Sequence, residues 1–482
     1  MGYRNMFGIL TEDEVVNVHS TSLSLLENVG MAIYSSDVLN LLKDAGVNVD
    51  FKKMMARPTA SLVEEGMKKS PREFILGGRN SKHDLTMKKG KTYFRTPTGC
   101  THVLDSETGV FRESNINDLK KFARLIDGLD QIDYSGCILF PQVINPKIRD
   151  LYATEILLEN TEKHVMTQLY YVKSLTYLHE MAKLIVPDEK ERRKRPPISL
   201  TVSPTSPLQC TKDSSELLMG CAKYRIPIQL TSIPIMGGSG PVTLAGTLMM
   251  LHAEMLMGIL IVQLTEPGAP IIYTSRTHLL NMKTGTALCG TIENTLLNVA
   301  MVQMARHIGL PVDVYAMATD SNVYDEQATI EKTLNLSLSL FLSKPNVITG
   351  AGELESLDTV NMEQLVIDAE IISLTRRALR GIDINDGTLA TEVIAKVGPG
   401  GNFLSERHTR EYFRKELFFP SILNQDPRRA WEMKGSKDVV ARAKEKVRKI
   451  LKEHEPVPLE KNTQESLRQI LKRAEKDLSQ AS

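Results

Sequence analysis

The stretch Leu230-Thr-Ser-Ile-Pro-Ile-Met-Gly-Gly-Ser-Gly-Pro-Val-Thr-Leu-Ala-Gly-Thr-Leu248 reads as a buried strand that enters a glycine corner and opens a helix. Apolar and β-branched residues over Ile228–Ile233 supply the strand, and Gly237, Gly238 and Gly240 supply the corner. Pro241 suits a first helical turn, where its missing N–H is not needed. The rhythm of strand, loop and helix continues on both sides. Further strands are expected at Asp133–Ile138, His164–Leu169, Ile198–Ser203, Ile271–Ser275, Thr286–Gly290, Val312–Met317 and Val347–Gly350. Helical patterns fall between most of them, including Asn145–Asn160, Pro241–Val262, Thr291–His307 and Met362–Arg380. Eight strands alternating with helices predict an α/β fold, a (β/α)8 TIM barrel, over 126–385. The interval between the fifth and sixth of these strands is short for a helical crossover, and a doubly wound open sheet is the competing pattern.

Upstream, 1–125 reads as an N-terminal mixed helix and hairpin cap. Thr11 and Glu14 form a capping box, helices stop at Gly30 and Gly46, and short strands follow between Lys91 and Glu113. Downstream, 386–482 reads as a rim segment with a C-terminal helical extension. Val440, Ala443, Val447, Ile450 and Leu451 share one helical face, as do Leu467, Ile470, Leu471, Ala474 and Leu478. Such helices are expected to pack on the barrel or on a neighbouring subunit; the excess of Lys and Arg beyond Trp431 leaves docking to an acidic partner protein as the functional alternative.

A net charge of +1 over 482 residues argues against a nucleic-acid binder. Five scattered cysteines form neither a disulfide framework nor a zinc ribbon, and a reducing cytoplasm is expected. The longest apolar candidate, Leu244 to Thr265, is interrupted by Gly246, His252, Glu254, Gly258 and Gln263, so no membrane span is expected. The opening MGYRNMFGIL has no signal-peptide pattern. Ten dispersed histidines lack metal-ligand spacing, so no metal site is expected.

In a barrel, the loops after the strands form the rim where chemistry occurs. Candidate residues there are Glu266, Glu293 and Asp320 for a cation, Arg276 for an anion, and His408 in a rim-like segment. The corner at Gly237, Gly238 and Ser239, and the glycines Gly350 and Gly352, offer backbone to an anion or to a partner's cofactor. Each of these also has a bland reading, as a packing turn, a cap or an ion pair. Tyr134, Tyr170, Tyr171, Tyr273, Tyr315 and Tyr324 lie in or soon after barrel strands; Tyr134, Tyr171 and Tyr273 are the foremost candidates for aromatic faces around a quaternary ammonium. No catalytic residue can be named from spacing.

Met236–Leu248 resembles the Gly-Pro-Val-Thr-Leu-Ala-Gly segment of the trimethylamine methyltransferase family. Glu266-Pro-Gly-Ala-Pro-Ile-Ile-Tyr273, Thr319-Asp-Ser-Asn-Val-Tyr-Asp-Glu-Gln327, Gly401-Asn-Phe-Leu-Ser-Glu-Arg-His-Thr409 and Phe418-Phe-Pro420 resemble it in order and spacing, as does Met6-Phe-Gly-Ile-Leu10. The resemblance implies a (β/α)8 barrel that takes a methyl group from a methylated amine and delivers it to cobalt(I) of a separate corrinoid protein. It further implies no permanently bound cofactor. Methylamine-specific members carry pyrrolysine, whose imine needs an amine lone pair, and this chain has only standard residues. A quaternary amine has no lone pair, so glycine betaine, proline betaine or carnitine is the implied donor class. Trimethylamine or another donor on the same fold, and a non-catalytic quaternary-amine-binding subunit, are the alternatives. Assembly with further copies of the chain is also expected.

Overall fold

Short, buried apolar strands need cover on both faces, and here they obtain it by closing into a ring inside a layer of helices. In this computed structural model, which describes residues 8–479, eight parallel strands form the ring. They are β1 (Tyr93–Arg95), β2 (Ser135–Gly136), β3 (Val165–Gln168), β4 (Ile198–Val202), β5 (Ile228–Ser232), β6 (Ile271–Ser275), β7 (Val312–Tyr315) and β8 (Val347–Thr349). β8 pairs with β1 through Ile348 and Phe94. A parallel bridge from Arg95 to Tyr134 closes the ring toward β2. Each strand leads to a helix: α1 (Ile116–Asp127), α2 (Arg149–Asn160), α3 (Ser174–Ile185), α4 (Lys212–Tyr224), α5 (Leu244–Thr265), α6 (Ile292–His307), α7 (Glu326–Ser343) and α8 (Met362–Arg380). This is the (β/α)8 barrel.

The strand expected at Thr286–Gly290 is not part of it. Ala287–Leu288 pairs antiparallel with His278–Leu280 in a small rim sheet that also holds Ile235–Met236. The missing barrel strand is Tyr93–Arg95, so the barrel begins inside the segment 1–125 rather than at 126. The short interval after β6 had no room for a crossover helix, whereas the long path from β1 accommodates a rim hairpin, His102–Leu104 with Phe111–Glu113, and then α1.

The N-terminal helices, Glu12–Asn28 with its Thr11/Glu14 capping box and Ala60–Lys69, lie on α5. That cover explains why α5 is apolar on all sides. By length and composition it could cross a membrane, but most of it is buried between the barrel and this cap. Met6 and Phe7 of the family-like opening lie outside the described residues. A hairpin, Phe74–Leu76 with Leu85–Met87, seals the N-terminal end of the barrel, where Leu76, Leu85 and Met87 meet Tyr134, Met166, Ile272 and Val347. The C-terminal helices Val439–Glu453 and Lys461–Ser479 dock on α8 and α1, and on α3 and α2.

Candidate active site

Side chains alternate in and out along a strand, and β6 shows what that does here. Ile272 points into the barrel floor, Tyr273 points out, and Arg276, just past the strand end, turns inward. Above the apolar floor lies a polar layer. Arg95 donates to Asp313 from Nε at 3.0 Å and Nη2 at 2.7 Å, and to Gln229 Oε1 at 3.0 Å. Thr349 donates to the other Asp313 oxygen at 2.7 Å, and Gln229 donates to the Tyr134 hydroxyl at 2.9 Å. Both members of the Arg95–Asp313 pair are buried, so its hydrogen-bonded completeness is what makes it tolerable.

At the mouth, the charges are not complete. Arg276 is only 4% exposed, and its Nε and Nη2 have no hydrogen-bond partner among the described residues. Its guanidinium lies 5.8 Å from the centre of the Tyr315 ring. Burial, then the nearby Arg95 cation, pull its pKa below the ordinary arginine value. An unpaired buried guanidinium is costly, and a carboxylate gripped in two places is its natural complement.

Glu353 lies on the other side of Tyr315. It is fully buried, one carboxyl oxygen accepts the Tyr315 hydroxyl, and the other has no partner among the described residues. Burial pushes its pKa up to about 8, against the pull of Lys332. The backbone that carries it is pinned. At Gly350, φ is +119° and a Cβ would come within 2.6 Å of the Met317 backbone. Gly352 has φ +88° and its N–H donates to Asp368 at 2.6 Å. Lys332 bridges the Gly350 carbonyl at 3.0 Å and Asp368 at 2.9 Å. His278, also at the mouth, is held neutral because burial lowers its pKa to about 4.

The sequence candidates divide. Arg276 is at the mouth. Tyr134 points into the barrel but belongs to the layer beneath it, fully buried with its hydroxyl bound to Gln229. Tyr171 stays on the exposed rim, in the loop after β3. Tyr273 faces away from the barrel interior: its hydroxyl lies 2.6 Å from His252 Nδ1 on α5, because its neighbours Ile272 and Thr274 take the inward positions. Glu266 precedes β6, which places it at the N-terminal end, where it pairs with Arg225 at 2.8 Å. Asp320 is on the rim as a fastener, accepting from the Cys289 N–H at 2.8 Å and the Ser356 hydroxyl at 2.6 Å.

His408 is far from its own mouth. It lies on the helix Arg407–Glu416, which is held near the last turn of α8, and α8 ends at the barrel's N-terminal end. There its ring stacks on Tyr412 at 4.4 Å and binds the Gly387 carbonyl. The corner at Gly237, Gly238 and Ser239 closes on itself. Gly237 N–H donates to Gly240, Gly238 N–H donates to Ile235, and the Ser239 hydroxyl accepts from Ile235 N–H. Helix α5 begins only at Leu244, not at Pro241. Gly350 and Gly352 act through packing, by placing Glu353.

Glu353 is the residue that sequence reasoning misses, and Tyr315 is among its strand tyrosines but not among the foremost three. Tyr315 stands two residues after Asp313 on the inward face of β7, and Glu353 follows the last barrel strand through a Gly-Ala-Gly corner. Those two signals were available.

The model of the family "Trimethylamine methyltransferase (MTTB)" matches residues 3–479. The trimethylamine methyltransferase of Desulfitobacterium hafniense strain DSM 10664 / DCB-2 is 32% identical over 471 residues, covering 97% of this chain and 95% of the relative. That of Methanosarcina barkeri strain Fusaro is 34% identical over 477 residues, with the same coverage. The glycine betaine methyltransferase of Desulfitobacterium hafniense strain Y51 is 26% identical, covering 98% of each chain. The crystal structure of the Methanosarcina barkeri monomethylamine methyltransferase superposes with a TM-score of 0.55 at 11% identity, covering 92% of this chain and 88% of that one, a likeness of fold.

Proposed function

Since the chain belongs to the trimethylamine methyltransferase family, we propose that it moves a methyl group from a carboxylate-bearing quaternary amine, of the glycine betaine type, to the cobalt(I) of a separate corrinoid protein. The observation that carries the donor class is Arg276: a buried cation with two nitrogens, Nε and Nη2, that find no partner among the described residues, at the mouth of the barrel. Trimethylamine has nothing to offer it, whereas a betaine carboxylate does. The 26% likeness to a glycine betaine methyltransferase supports the same class. Trimethylamine itself is the second reading, favoured by the 32% and 34% identities to trimethylamine methyltransferases.

The chemistry asks little of acids and bases. Cobalt(I) is the nucleophile, the tertiary amine leaves neutral, and opposite charges cancel as the methyl group moves, so a water-poor mouth favours the step over bulk solvent. The protein's part is to hold the N-methyl group in line, which can contribute roughly 7–11 kcal/mol. Arg276 holds the carboxylate end. The acceptor is a co-substrate that must reach the mouth, and the rim presents Val143, Tyr171, Val242, Met282 and Val323 to solvent, an apolar surround suited to a docking protein.

The test mixes the purified protein with cob(I)alamin and follows the cobalt spectrum. Glycine betaine, proline betaine or carnitine should methylate cobalt, and choline, which keeps the ammonium but lacks the carboxylate, should be a much poorer donor. Trimethylamine or choline reacting as fast as the best betaine would overturn the assignment.

A further inference from the structure

A buried cation and a buried carboxyl flank Tyr315 without pairing with each other. Arg276 lies over its ring, and Glu353 binds its hydroxyl. Each keeps atoms without a partner among the described residues, Nε and Nη2 on one side and one carboxyl oxygen on the other. The buried ion pairs at Arg95–Asp313 and Lys332–Asp368 are each closed by contacts below 3.1 Å, whereas Arg276 and Glu353 are left open at the mouth. A ligand with a carboxylate at one end and a cation at the other, lying across Tyr315, satisfies both.

We propose that Glu353 is the counter-ion for the ammonium end of the bound betaine, and that binding this permanent cation displaces a proton from Glu353 to solvent. The inference rests on the betaine reading above. The balance is simple: the protonated carboxyl and the free betaine become a carboxylate–ammonium contact and one released proton. The betaine itself has no group that titrates near neutrality, so the proton comes from the protein.

The surroundings of Glu353 fit this exchange. Tyr315 on β7 donates to it, Arg276 faces it from the end of β6, and Lys332 on α7 and Asp368 on α8 lie beyond, bound to each other. The Cys289 and Cys100 thiols also face it, and burial raises both so that they remain neutral. The free carboxyl titrates at about 8, so near pH 7 it is mostly protonated. A cation held against it stabilises the ionised form and lowers that value in the complex. By linkage, betaine affinity rises with pH, by up to about tenfold per unit, until the free group is ionised.

The experiment is calorimetric titration of the purified protein with glycine betaine at pH 7, in buffers of different ionisation enthalpy. The wild type should release close to one proton per betaine bound, and its affinity should rise from pH 6 to pH 8. Glu353→Gln keeps the shape and can still accept from Tyr315, so it should fold, bind betaine more weakly at pH 8, and release no proton. Tyr315→Phe, which removes the donor that favours the carboxylate, should move the proton release to higher pH. Unchanged proton release from Glu353→Gln overturns the inference, as does tight wild-type binding that is flat with pH. Betaine that methylates cobalt but binds without releasing a proton sinks this inference alone. Betaine that neither binds nor donates methyl sinks the function reading with it.

Discussion

Arg276 and Tyr273 lie three residues apart on one edge of the barrel, and the wall between them separates recognition from packing. Arg276→Gln should raise the half-saturating betaine concentration by about 10–100-fold, in line with a lost charged hydrogen bond of roughly 1.5–3 kcal/mol. Choline, which never used that contact, should be almost unaffected, and parallel titrations of the two ligands check this. Tyr273→Phe should leave betaine binding unchanged, because the ring sits outside the barrel against α5. It removes a buried hydrogen bond to His252, so stability should fall by about 1 kcal/mol in urea unfolding. A change in betaine affinity with no loss of stability would contradict the outward placement. Both side chains were visible in the sequence as strand-end candidates. Their opposite fates follow from a period of two.

At the scale of elements, the end of β8 depends on close backbone contact with the end of β7. Gly350→Ala puts a Cβ at 2.6 Å from the Met317 carbonyl group, with φ at +119°. Backbone must move, and a destabilisation of about 1–3 kcal/mol is expected from the strained conformation, with more from the clash. Thermal unfolding should report it, and methyl transfer should fall too, since Glu353 hangs from this corner. A variant as stable and active as the parent would show that the corner is looser than the geometry implies. The register of the other elements was mostly legible, because buried parallel strands read as continuous apolar runs. β1 was the exception: Tyr93-Phe-Arg95 is three residues long and lies beside hairpin strands that look alike, so nothing local marks it as barrel. Its pairing with β8 and its bridge to Tyr134 do so.

Across the whole molecule, several histidines are buried and held neutral. Burial pulls His252 well below its ordinary value, and His164 and His278 down to about 4. The unfolded chain binds these protons at about 6.5 and the folded chain does not, so the unfolded state takes up more protons as pH falls. The histidines' share of the stability is therefore full near pH 7.5 and lost progressively below about pH 6.5, while the raised carboxyls of Glu353, Glu155 and Asp150 act in the opposite sense over the same range. Urea midpoints of the parent and of His164→Gln at pH 7.5 and 5 isolate the term: the variant's midpoint should fall less between the two pH values than the parent's, and an equal fall would contradict it.

The order of residues by itself determined the alternation of strand and helix, the capped N-terminal helix, the amphipathic C-terminal pair and a resemblance spread along the chain, because these depend on local periodicity and short motifs. It also brought out Arg276, whose charge just past an apolar strand is unusual. Tertiary structure decided the rest. Which end of the barrel a loop occupies placed Glu266 away from the mouth, the path after α8 carried off His408, and internal hydrogen bonds closed the Gly237 turn. Arg276, Tyr315 and Glu353 come from three different strand ends, and only closure of the barrel brings them together. Whether a buried charge finds a partner depends on residues far apart in the chain, and that is why the unpaired atoms at the mouth could not be read from sequence.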